Sequence, residues 1–228
     1  MSKSGSSSNH GGGLDDPMNH DNGDDGANRG PDNNADRGPD NGANQGDNNH
    51  GVPPVATAET LTGTDAVDRL KGGDGDDSIS GLGGDDRLEG GKGNDTIDGG
   101  AGDDLIRGGT GADVLTGGAG HDTFVIDSGV KAATDLDRIM DFTHAEDRLV
   151  FDDGPAVTAT NFVTDTAADF TTAVADANAK MAAGADFVAV QVGADVIVFA
   201  DEVGEHHVES GVLLVGKTLA DISASDIG

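Results

Sequence analysis

An aspartate recurs at every ninth residue through the middle of the sequence: Asp68, Asp77, Asp86, Asp95, Asp104, Asp113 and Asp122. Each stands sixth in a unit of the pattern Gly-Gly-x-Gly-x-Asp-x-apolar-x, and seven such units run without insertion from Gly63 to Val125. Adjacent acids such as Asp76-Asp77 and Asp103-Asp104 have the residue types of a general acid/base dyad. Their recurrence points elsewhere, because a catalytic pair is needed once, whereas a carboxylate repeated at fixed spacing reads as a repeated ligand. Carboxylate and backbone carbonyl oxygens in a flexible turn make the hard-oxygen cage that calcium takes. Magnesium would demand a tighter octahedron and keep more of its water.

The elements that must hold these carboxylates follow from the second column of the repeat. The eighth place is always apolar: Leu70, Ile79, Leu88, Ile97, Ile106, Leu115 and Phe124. One inward apolar residue flanked by two outward ones predicts a strand of three residues, because strand side chains alternate faces. The remaining six places form a turn, in which glycine supplies left-handed backbone and close approach. Each unit is then half of a coil. Leu70, Leu88, Ile106 and Phe124 are expected in one parallel sheet, facing Leu61, Ile79, Ile97 and Leu115 in another. Leu61, with Glu59 two residues before it, reads as a degenerate entry unit. One buried side chain in nine is too little burial to offset the ordering of the chain, so the aspartate column must contribute to stability through a cation.

Composition narrows the partners. The 228 residues carry 43 acidic and 13 basic side chains, a formal charge of −30, which opposes binding to nucleic acid or an anionic membrane. Cysteine is absent, so disulfides and thiolate metal sites are excluded. Residues 1–54 are a Gly/Asn/Asp-rich tail expected to be disordered. The tail repeats RGPDN at Arg29–Asn33 and Arg37–Asn41, and it ends at Pro53-Pro54. Its histidines His10, His20 and His50 read as solvated tail residues rather than ligands. The N-terminus lacks the apolar core of a secretory signal and no segment approaches the roughly 20 apolar residues of a membrane span. The expected location is therefore the cytoplasm, or outside the cell by a route that reads no N-terminal signal.

After the repeats, the spacing of Ile139, Phe142, Leu149 and Phe151 predicts short strands. Phe170, Val174, Ala177 and Met181 lie at helical spacing, with Thr166 and Asp169 as a capping box and Gly184 as the stop. FVAVQV and VIVFA about Gly193-Ala194-Asp195 predict a hairpin, followed by a strand at 212–215. Glu205, His206, His207 and Glu209 suggest zinc, but adjacent side chains on a strand point apart and no third histidine is near in sequence.

The units GGKGNDTID and GGAGDDLIR, and the array from Gly63 to Val125 around them, resemble the RTX (repeats-in-toxin) family of calcium-binding parallel β-helix repeats. The resemblance implies an all-β fold: a right-handed parallel β-roll over 55–128, then a mainly β cap with one helix over 129–228. It places calcium between turns two repeats apart, the turns at Gly72, Gly90 and Gly108 lining one edge and those at Gly81, Gly99 and Gly117 the other, for about four ions. The implied side-chain ligands are Asp77, Asp86, Asp95, Asp104, Asp113 and Asp122, and the third-place residues Asp74 and Gly83 join the set. Asp76, Asp85 and Asp103 are expected to face solvent and tune affinity by charge. GTDAVD at Gly63 lacks two of the three glycines, and Leu82 replaces one in the next turn on that edge. The region through KTLADISASDIG resembles the C-terminal part of RTX proteins exported by type I secretion, with Asp226-Ile227 as an acidic-then-apolar ending. This implies a secreted, extracellular protein whose partners are calcium, the secretion machinery and a cell-surface or matrix component, with no nucleic acid and no membrane insertion. The HExxH and GxSxG motifs of enzymes that precede such rolls are missing, so no catalysis is expected. A calcium-dependent structural or adhesive protein is the alternative reading, and an enzyme with a site in 129–228 a third.

Overall fold

The computed structural model describes residues 56–127, 133–152, 154–158, 160–201 and 204–228. The expected tail of residues 1–54 lies outside them. Eight strands follow the repeat: β1 (Thr60–Thr62), β2 (Arg69–Asp74), β3 (Ser78–Ser80), β4 (Arg87–Lys92), β5 (Thr96–Ala101), β6 (Leu105–Thr110), β7 (Val114–Ala119) and β8 (Thr123–Ile126). Odd and even strands pair in parallel with a register of 18 residues, as Ile79 opposite Ile97 and Leu88 opposite Ile106 show. The two sheets face each other across the apolar column from Leu61 to Phe124, every member of which is buried.

The strands differ from expectation in length. β4 to β7 each run six residues, continuing into the following Gly-Gly-x, with Gly91 paired to Gly109 and Gly100 to Gly118. Glycine here has no side chain to end the ladder, and its left-handed φ (Gly91 +124°, Gly109 +108°) lets successive coils stack closely. A Cβ on Gly91 would strike the carbonyl of Gly73 below it.

Both sheets continue beyond the repeats. β9 (Asp137–Ile139) extends the odd sheet beside β7, and β10 (Arg148–Phe151) extends the even sheet beside β8. The odd sheet then widens through β14 (Ser210–Leu214), β13 (Asp195–Ala200), β12 (Phe187–Val192) and β11 (Phe162–Ala167). β12 and β13 form the expected hairpin, joined by Gly193-Ala194 with Gly193 at φ +64°; Asp195 belongs to the strand. β11, paired in parallel with β12, was not anticipated from the sequence.

Helix α1 (Phe170–Met181) buries Ala173, Ala177 and Met181 in a second core with Val188, Val190, Ile197 and Phe199. Its cap corrects the expected capping box: Thr166 lies in β11, and Asp169 alone is the N-cap, accepting the Thr172 N–H at 2.8 Å. Gly184, at φ +102°, follows the last turn as the stop. Residues 223–228 close the even sheet, Ile227 bridging Leu149 and the Gly228 N–H bonding to the Leu149 carbonyl at 3.0 Å. Among the described residues no helix is long and apolar enough to cross a membrane.

Candidate metal centre

The aspartates of the repeat point into the roll at the start of each strand, and Asp77, Asp86, Asp95, Asp104, Asp113 and Asp122 are at most 3 % exposed. Their two oxygens have different environments. Oδ1 accepts the backbone N–H of the acidic residue one coil earlier: Asp77 from Glu59, Asp86 from Asp68, Asp95 from Asp77, Asp104 from Asp86, Asp113 from Asp95 and Asp122 from Asp104, at 2.7–3.0 Å. Oδ2 of all six is buried and accepts no hydrogen bond. Leaving a buried acceptor unmatched costs about 1–3 kcal/mol, more when it is charged, so six unmet oxygens in one column require a partner of another kind.

The first glycine of each unit, lacking a Cβ, lets that oxygen approach a carbonyl of the next coil. The position a Cβ would take at Gly72 lies within 3.0 Å of both Asp77 Oδ2 and the Gly90 carbonyl. The same cradle recurs at Gly81 (Asp86, Gly99), Gly90 (Asp95, Gly108) and Gly99 (Asp104, Gly117). At Gly108 and Gly117 the nearest groups are Asp113 and Asp122 alone. An unmatched carboxylate oxygen brought beside a carbonyl of the next coil is a donor pair that suits a hard cation. The residues present therefore fit calcium.

Of the other expected ligands, Asp74 is directed elsewhere: its carboxylate pairs with Lys92 at 2.9 Å and its carbonyl accepts the Thr57 N–H. The third-place carbonyls of Lys92, Ala101, Thr110 and Ala119 bond to fourth-place N–H groups of the preceding coil. Gly83 donates its N–H to Thr64 and bridges Ala101. The fifth-place residues are exposed as expected, but they also form an outer ladder. Asp76 accepts the Asn94 N–H, Asn94 that of Ala112, Asp85 that of Asp103 and Asp103 that of His121. The recurrence of Asp or Asn at this place was the available signal. Two further aspartates extend the inner ladder past the repeats: Asp137 accepts the Asp113 N–H and Asp147 that of Asp122. They stand 24 and 25 residues on instead of 18, which hid them from a search at period nine.

Burial, with repulsion from neighbouring carboxylates, raises the pKa of the repeat aspartates from Asp86 to Asp122. Asp104 and Asp122 are pushed up to about 6, and Asp86 and Asp95 are raised by the same causes. Asp137 is raised by burial and then by the charge of Asp113. Without a cation, the roll holds carboxyls that resist ionisation. Glu205, His207 and Glu209 approach one another where residues 204–207 form a bend, and the adjacent His206 is not in the group. Glu205 and His207 are nevertheless exposed, unlike the repeat aspartates.

A parallel coil of nonapeptides with one buried, half-satisfied carboxylate per turn has the form of a metal-binding repeat array. Residues 62–97 and 89–124 match the model of the RTX calcium-binding nonapeptide repeat (four copies), and this segment of the chain is an RTX calcium-binding repeat array. A comparison with curated proteins finds no match. Among solved structures, the chain is similar to two subunits of the Azotobacter vinelandii mannuronan C5-epimerase. The AlgE6R2 subunit is 28 % identical, with 73 % of this chain and 90 % of that one covered at a TM-score of 0.33. The AlgE6R3 subunit is 25 % identical, covering 77 % and 81 % at 0.32. The extracellular lipase LipA of Serratia marcescens is 17 % identical over 79 % of this chain and 41 % of its own, at 0.30.

Proposed function

We propose that this chain is a secreted calcium-responsive module whose roll, within 55–128, folds when calcium reaches its turns outside the cell, while 129–228 supplies a cap and the region read by type I secretion. The carrying observation is the column of buried aspartate oxygens without hydrogen bonds. The proposed ligands are Asp77, Asp86, Asp95 and Asp104 with the carbonyls of Gly90, Gly99, Gly108 and Gly117, giving four complete cradles. Asp113 and Asp122 offer the same oxygen in the last nonapeptide turn of each edge. At low calcium the ionised column repels itself and the roll is unstable; binding neutralises it, so the binding free energy becomes folding free energy.

Calcium titration of the full chain, followed by far-ultraviolet circular dichroism and calorimetry, tests this reading. Strand signal should appear cooperatively at roughly 0.1–1 mM calcium, the range of extracellular modules, and magnesium at the same concentration should give little. A roll equally formed in excess chelator would overturn it. For secretion, the test is release of the chain to the medium by cells with and without a type I exporter.

A further inference from the structure

Two turns at opposite ends of the roll depart from the repeat in the same way. Residues 63–68 read GTDAVD and residues 142–147 read FTHAED, with Thr second, Ala fourth and Asp sixth in both. The second lies outside the nine-residue register, yet it is a turn of the same ladder: Asp147 accepts the Asp122 N–H, and Arg148 continues as β10 against β8. Both turns feed the even sheet. They are therefore the first and last turns of one edge, with those at Gly81, Gly99 and Gly117 between them.

In each, the threonine backbone meets the oxygen that is left unmatched elsewhere. The Thr64 N–H donates to Asp68 Oδ2 at 2.6 Å, joined by the Thr64 hydroxyl at 2.9 Å. The Thr143 N–H donates to Asp147 Oδ2 at 2.7 Å. The difference lies in the backbone. In the turns between them the second residue is in the left-handed region, Leu82, Gly100 and Gly118, as it is on the opposite edge at Gly73, Gly91 and Gly109, whereas neither threonine has a positive φ. A β-branched residue is strongly disfavoured there, so threonine selects the other conformation, the one in which its N–H serves the carboxylate. At Gly63 the cradle is otherwise complete, with Asp68 Oδ2 and the Gly81 carbonyl both under 3.0 Å from a Cβ position. At the far end, buried Phe142 stands where a repeat turn has glycine.

We infer that the Thr64 and Thr143 turns are cation-free ends of this edge, a backbone N–H standing at Asp68 and Asp147 where calcium stands in the turns between. A charge-assisted N–H bond takes up Oδ2 in both turns; Asp147 is thereby matched at both oxygens, whereas Asp68 Oδ1, at the start of the ladder, stays buried and unmatched. At the start of the opposite edge Glu59 Oε2 is likewise buried and unmatched.

This inference rests on the calcium reading of the roll, and native mass spectrometry of the calcium-loaded full chain tests the two separately. The double substitution Thr64→Gly with Ala66→Gly restores a GGxGxD turn and should add one bound calcium. In the parent protein, Asp68→Asn and Asp147→Asn should leave the ion count unchanged, while Asp86→Asn should lower it by one. Should the double variant fail to fold, the asparagine variants still decide. Loss of an ion in Asp68→Asn or Asp147→Asn, or no gain in a folded double variant, would overturn the inference while leaving the calcium reading intact. A parent chain that binds no calcium would overturn both.

Discussion

In β12 the side chains of Phe187, Val188, Ala189 and Val190 are all buried, and in β13 those of Val196 to Ala200; in the roll only one residue in nine contributes an apolar side chain to the core. The two regions share a continuous sheet, from β1 through β9 to β11, yet their interiors obey different rules. β12 and β13 bury apolar surface on both faces, with α1 covering one, which is the ordinary source of stability. The roll buries a file of carboxylates and leaves half of each carboxylate unmatched. Strand pairing alone therefore does not make a region stable; what fills the space between the sheets does.

Removing calcium should separate the regions most strongly. Hydrogen exchange in excess chelator should show rapid exchange across residues 69–119, with protection retained across 187–214. Uniform loss in both would mean that the shared sheet transmits the collapse.

Acidification should sharpen the contrast. A carboxyl with a raised pKa in the fold holds its proton more tightly there than in the unfolded chain. Between the ordinary value near 4 and about 6, the cation-free roll should thus gain stability as pH falls and lose it as pH rises. Asp169 and Asp221 behave oppositely: accepting backbone N–H groups at helix starts lowers their pKa, so acid weakens their caps. Circular dichroism in chelator from pH 7 to pH 5 should show strand signal returning to the roll; a flat profile would contradict the assigned burial cost.

Phe199→Ala, which empties a fully buried place beside the Phe170 ring, should cost about 3–5 kcal/mol, the same at low and high calcium. Chemical denaturation at both concentrations measures this, and strong calcium dependence would show that the two cores act as one. The smallest effect is expected at Leu82, half-exposed with φ +73°. Leu82→Gly removes left-handed strain of about 1–2 kcal/mol, partly offset by the greater freedom of unfolded glycine. The calcium midpoint of the variant should fall slightly; a rise would mean that the Leu82 side chain contributes contacts.

The roll was legible because its period is unbroken: the aspartate column, the apolar column and the alternation between sheets all follow from counting in nines. Strand length was not, since glycine pairs look like turns in sequence but extend the ladder when another coil lies beside them. The helix position was clear from Phe170, Val174, Ala177 and Met181, while its start was misread because Asp169 needs no partner at Thr166 to cap it. β11 gave little warning, as its residues are only partly buried and its pairing depends on β12, about twenty-five residues later. Asp137 and Asp147 were hidden by irregular spacing, and Thr64 and Thr143 by the fact that what distinguishes them is a backbone N–H.

The 18-residue register works as a ruler graduated in pairs. One extra nonapeptide would deliver β9 to the sheet that now receives β10 and leave the β14-β13-β12-β11 extension on the wrong wall, whereas two would return every strand to its own. An array of this architecture can thus lengthen or shorten by whole coils without redesign of its ends, and parity rather than length is the quantity the downstream sheet constrains.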